Sequence, residues 1–171
     1  IVDDNEGLTD YITVTSAGCS RRIQNYFVDA DGLPIGWSYL SAHKQFGTGN
    51  QLITVAGGSK PINFISEVDD LGEYDSTTGI FVAQKSGIYI ASFGGRVDLS
   101  GDGFIFQIEY FNGSTWTVIG NSLRNAITMQ GNVTTSAMQK LNAGQKLRFL
   151  VSAVNADANL AEGHLSLTRV R

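Results

Sequence analysis

The chain has 171 residues, 42% hydrophobic and 16% charged, which sets it apart from charge-rich, apolar-poor disordered chains and suffices for one ordinary domain, or a domain with a small annex. A net charge of -4 lacks the basic surface that neutralises nucleic-acid phosphates, so a nucleic-acid partner is not expected. Twenty glycines against two prolines point to many tight turns, and the single cysteine, Cys19, rules out a disulfide within the chain, leaving packing or oligomerisation to hold the fold.

Residues 11–15, 23–28 and 51–55 read as short strands. Together they are too few for an independent core, and they are expected to lean on the following domain or on neighbouring copies. Cys19 reads as an inert, partly buried side chain. Asp29-Ala30-Asp31-Gly32 begins like a calcium loop but lacks the later ligands, including the terminal Glu, and reads as a turn. Residues 33–43 are apolar enough for a helix, but Pro34 and Gly36 break it. Gly57-Gly58-Ser59-Lys60-Pro61 stops a strand, which divides the chain into an N-terminal β-module, 1–61, and a main domain, 62–171.

Beyond that boundary the dominant period is two. Tyr89, Ala91 and Phe93 share one face; so do Phe104, Phe106, Ile108 and Tyr110, and again Leu147, Phe149, Val151 and Ala153. This alternation predicts half-buried strands with one face toward a core. Turn signals separate them: Ser100-Gly101-Asp102-Gly103, Asn112-Gly113 and Asn142-Ala143-Gly144. Asn112-Gly113 predicts a hairpin, because this pair readily takes the positive φ of a tight turn. Regular strands at turn-marked intervals predict an all-β sandwich or barrel. No heptad, short repeat, secretory leader or run of ~20 apolar residues is visible, so no membrane insertion is expected. The chain begins at Ile1 and reads as a processed or truncated piece.

Two resemblances follow from particular residues. Phe64, Asp70, Tyr74, Gly79, Phe81, Gly87, Tyr89 and Phe93 fit a pattern that resembles the jelly-roll superfamily of tumour necrosis factor and the globular head of complement component one, subcomponent q. The Asp-to-aromatic spacing is one residue short, and Ala91 replaces the middle aromatic. Leu141-Asn142-Ala143-Gly144 with the strand after it, and Leu165-Ser166-Leu167, resemble the late turn and closing strand of that superfamily. The resemblance implies two packed antiparallel sheets and a homotrimer for residues 62–171. Residues 23–62, with Asp31-Gly32-Leu33-Pro34-Ile35-Gly36-Trp37 and Asn50-Gln51-Leu52-Ile53-Thr54-Val55, resemble a β-module of bacteriophage tail and fibre proteins. Independently of either likeness, Phe81, Tyr89, Phe93 and Phe149 are large bodies at β spacing and read as core; the resemblance implies that they also frame the trimer. Gly79 and Gly87 read as positions of positive φ or close approach.

Chemistry is sparse. His43 and His164 are far apart in sequence and have no Cys or His at ligand spacing, so no metal or other cofactor is expected. Asp69, Asp70 and Glu73 form an acidic loop that reads as solvated. Asn112 and Asn132 head glycosylation-type triplets and read as turn and strand residues. No nucleophile elbow, phosphate loop or dinucleotide fingerprint occurs, and an enzyme is not expected. The expected function is the trimeric head of a phage or viral fibre or spike, on the virion surface, binding a host-surface receptor or glycan through loops. Asp98, Asp102, Asn112, Ser114, Trp116, Asn155 and Asn159 are the candidate contacts. The rival readings are a particle-decoration or shaft-capping protein without a receptor, and a secreted complement-like or cytokine-like ligand.

Overall fold

The structure is a computed structural model and describes residues 39–98, 103–125, 131–154 and 156–170. The expected strands at 11–15 and 23–28, Cys19, the Asp29-to-Gly32 turn and the first part of the fibre-like segment lie outside these residues. So do Asp102 and Asn155.

The described residues form eleven strands and one 3-10 turn, Val55–Gly57. The strands are β1 (Tyr39–Lys44), β2 (Gln51–Ile53), β3 (Ser66–Asp69), β4 (Tyr74–Asp75), β5 (Ile80–Val82) and β6 (Gly87–Asp98), then β7 (Gly103–Phe111), β8 (Trp116–Asn125), β9 (Gly131–Leu141), β10 (Lys146–Ala153) and β11 (Ala158–Val170). One sheet runs β3-β1-β11-β6-β9, with β2 also pairing β11; the other runs β4-β5-β10-β7-β8. Every pairing is antiparallel. The two sheets enclose one core, which makes this an all-β jelly-roll sandwich. The sheet extends upstream of the boundary placed at residue 61. Both β1 and β2 pair with β11, and the compact unit spans Ser38–Arg171.

The alternation read from the sequence fills that core. Phe81, Tyr89, Phe93 and Phe149 are fully buried, joined by Phe106, Ile108, Leu147 and Leu160. The rings meet edge to face, as their quadrupoles favour: Phe93 lies 5.3 Å from Phe106 and 5.6 Å from Phe149, and Phe81 lies 5.3 Å from Tyr89. Burying each such side chain contributes roughly 1.5–3 kcal/mol. Gly79 meets both demands expected of it. Its φ is +69°, and a Cβ there would sit 2.7 Å from the Phe149 carbonyl oxygen and 3.0 Å from Pro61 Cβ.

The last strand carries a phase problem that the fold solves. Ala158 and Leu160 are buried at even positions, Leu165 and Leu167 at odd ones. A regular strand keeps one parity per face. The register therefore slips between Leu160 and Glu162, and the extra residue, Ala161, makes a bulge. Leu165 and Leu167 then stay in the core while Glu162 and His164 turn outward.

Two local expectations are refined. The Asn112-Gly113 turn is not a two-residue turn: Phe111 pairs with Trp116, so the loop is residues 112–115. Only Gly113 in it has positive φ, at +104°. Asn112 instead folds the loop through its side chain, accepting from the backbone N–H groups of Ser114 and Thr115 at 2.9 Å each. In the acidic loop, Asp69 accepts from the backbone N–H of Tyr74 at 2.7 Å and Glu73 from that of Gln84 at 2.7 Å. Glu73 is 4% exposed, and burial raises its pKa. Both carboxylates thus organise backbone rather than face solvent.

Candidate functional site

The strand directions sort the three loops expected to bind. β6 ends at Asp98 and β10 at Ala153, opposite the start of β7. The strand ends at Asp98, Gly103, Ala153 and Ala158 therefore share one end of the sandwich, and Asp98 pairs with Asn159 there. β7 then runs the length of its sheet, so the hairpin with Asn112, Ser114 and Trp116 lies at the opposite end. The expected contacts do not converge on one surface. Trp116 packs on its sheet: Phe111 lies 5.1 Å away, and the Arg148 guanidinium covers the ring at 4.4 Å. Arg148 is itself held by Glu109 through a 2.8 Å Nε–H donation.

Cross-strand register shows what sequence spacing conceals. On the outer face of the β3-β1-β11-β6-β9 sheet, side chains line up in rows across β1, β11, β6 and β9. One row is Tyr39, Thr168, Ile90, Met138; the next is Ser41, Ser166, Ser92, Ser136; the third is His43, His164, Gly94, Thr134. Glu162, Arg96 and Asn132 continue the progression toward the Asp98 end. The first row is largely apolar and open: Tyr39 is 45% exposed, Ile90 46% and Met138 69%; Val68 on β3, 53% exposed, lies beside Ser41 at the end of the serine row. The two histidines, remote in sequence, are thus direct cross-strand neighbours.

At the Asp98 end of this face lies an open cleft of about 500 Å³. Lys44, Phe46, Arg96, Asn132, Thr134, Glu162 and His164 line it, with Gly95 and Gly163 contributing backbone. Each part has a local cause. The Ala161 bulge aims Glu162 outward opposite Arg96, and the two pair at 3.7 Å. The Arg96 guanidinium lies 4.1 Å over the Phe46 ring. Lys44 is 6% exposed and donates to the Gly49 carbonyl at 2.5 Å, which satisfies its ammonium while leaving its charge at the cleft. His164 lies across Gly94, with Nε2 3.5 Å from the Thr134 hydroxyl. A Cβ on Gly94 would come within 3.0 Å of that ring and 2.7 Å of Thr134 Cα. Burial holds the His164 pKa below the ordinary imidazole value. Apart from His164, read singly, and the Asn132-Val133-Thr134 triplet, read as strand, none of these cleft residues stands out in the sequence. Only the register of four strands assembles them.

Among the described residues no helix is long and apolar enough to cross a membrane, and no cluster of His, Cys, Asp and Glu is arranged to hold a metal ion.

No protein-family model matches the chain, and no curated protein matches it. Solved structures do. The chain is similar to Eiger TNF from S. frugiperda, with a TM-score of 0.55 and 12% identity over 78% of this chain and 94% of that one. It is similar to the globular domain of zebrafish complement 1qA protein, with a TM-score of 0.55 and 12% identity over 78% and 96%. It is also similar to murine APRIL, with a TM-score of 0.57 and 9% identity over 78% and 99%. The likeness is one of fold. The jelly roll implied by the Gly79-to-Phe93 pattern is the fold of this chain.

Proposed function

We propose that this chain is the homotrimeric head of a viral or phage fibre or spike, exposed on the virion and binding a host-surface receptor or glycan. The observation that carries the trimer is the open apolar patch on the outer face of the β3-β1-β11-β6-β9 sheet, where Tyr39, Ile90 and Met138 in one row and Val68 in the next are each 45% exposed or more. A large aligned apolar patch on a soluble domain marks a contact surface. The serine row beside it, Ser41-Ser166-Ser92-Ser136, lets another backbone approach closely. Three copies packed on this face would hide the patch and repeat every loop three times, multiplying a weak receptor contact. The fibre context rests on the resemblance of residues 23–62 to phage fibre modules.

Recognition, not catalysis, is the reading that suits the cleft. Its lining holds one carboxylate, Glu162, whereas glycoside hydrolysis uses two across the scissile bond. The likeness to TNF and complement structures favours a second reading, a secreted trimeric ligand.

Adsorption separates them. Purified protein added to host cells is expected to bind them and to block attachment of the parent particle. Protein that does neither leaves the secreted-ligand or purely structural reading.

A further inference from the structure

The cleft differs in character from the apolar row used for self-association. It lies some six residues along β6, about 20 Å from Ile90 at the rise of a β-strand. Its lining carries Lys44 and Arg96 against Glu162, a local positive balance on a chain of net charge -4. It also presents an aromatic ring: Phe46 is 60% exposed even with the guanidinium over it. The Asn132 amide and the Thr134 hydroxyl stand on β9 alongside, both on exposed residues. A guanidinium suits a carboxylate; the Nε and one terminal nitrogen of Arg96 are buried, so its other terminal nitrogen is the donor that faces a ligand. Amide and hydroxyl groups suit sugar hydroxyls. An exposed ring suits the apolar face of a pyranose. A volume of about 500 Å³ is in the range of small-ligand sites.

From these features we propose that the cleft formed by Phe46, Arg96, Asn132, Thr134, Glu162 and His164 binds a carboxylate-bearing sugar. Arg96 takes the carboxylate through that terminal nitrogen, beside its 3.7 Å contact with Glu162. Asn132 and Thr134 take hydroxyls, and Phe46 carries the ring face. This deepens the receptor reading above and rests on it, because it names the chemical class of the receptor group.

Ligand-observed NMR on the whole chain tests the site, with glucuronate, glucose and acetate as probes. Glucuronate is expected to show saturation transfer, and glucose and acetate little or none. Arg96→Gln and, separately, Phe46→Ala are each expected to weaken glucuronate binding about tenfold or more. Phe46→Ala changes an exposed residue and keeps the test valid if Arg96→Gln unfolds. Thr117→Ala, an exposed position at the far end of the sandwich, is expected to leave binding unchanged. Absent glucuronate binding, equal binding of glucose, or acetate competing as well as glucuronate would each overturn the proposal. Host-cell binding by Arg96→Gln separates the two readings. If wild type and variant bind cells equally, the receptor reading stands and the cleft is not its site. If neither binds cells while glucuronate still occupies the cleft, the sugar site stands without the host receptor.

Discussion

At the scale of single residues, the core aromatics and one glycine have the largest expected effects. Phe93, on β6 of one sheet, touches Phe106 on β7 and Phe149 on β10 of the other, and is fully buried. Phe93→Ala leaves a cavity that neither sheet can close alone, so a loss of about 3–5 kcal/mol is expected in denaturant unfolding. A loss under about 1 kcal/mol would mean the sheets collapse around the site. Gly79→Ala meets both a positive φ and a backbone oxygen 2.7 Å from the new methyl group, so it is expected to destabilise by more than about 1 kcal/mol. An unchanged melting temperature would contradict that geometry. Trp116 packs on its sheet, as a hairpin indole is expected to: Arg148 and Phe111 lie against its ring.

At the scale of elements, the β11 bulge joins packing to the cleft. Deleting Ala161 would remove the extra residue and bring Ala158, Leu160, Leu165 and Leu167 to one parity, so all four would still face the core and the pairing with β6 would continue without a bulge. The deletion variant is therefore expected to remain soluble and folded in thermal unfolding. Loss of folded protein would contradict this register. The phase change from Leu160 to Leu165 can be read in the sequence, as can the alternation of β6, β7 and β10, because a period of two needs only neighbours along the chain. Pairing across strands cannot be read that way. Lys44, Arg96, Asn132 and Glu162 are tens of residues apart, and only sheet order and register bring them to one cleft. The same limit explains why the three expected loops divide between opposite ends. Loop composition marks a turn but not the end of the sandwich to which a strand delivers it.

At the scale of the whole molecule, a pH-sensitive histidine lies on the face proposed for self-association. Burial keeps folded His164 neutral to a lower pH than in the unfolded chain, which takes up its proton near 6.5. Its contribution is intact above that value, is lost as pH falls toward the lower folded pKa, and stays lost below it. Glu73 acts in the opposite sense: its raised folded pKa adds stability as pH falls toward its ordinary value of 4.5. The His164 effect is therefore read as a difference. Between about pH 7.5 and about pH 5.5, wild type is expected to lose more melting temperature than His164→Gln. Equal losses would remove His164 from the account.

The central claim is that the apolar row of Tyr39, Ile90 and Met138, on the outer face of the β3-β1-β11-β6-β9 sheet, joins three copies. Light scattering of wild type and Ile90→Asp over serial dilution tests it most directly, with circular dichroism to confirm that the variant keeps its β-structure. Ile90 is 46% exposed, so the substitution spares the core. Wild type is expected at three times the 18.4 kDa chain mass and the variant, still folded, at one chain mass. A monomeric wild type, or a variant that remains trimeric, would contradict the account.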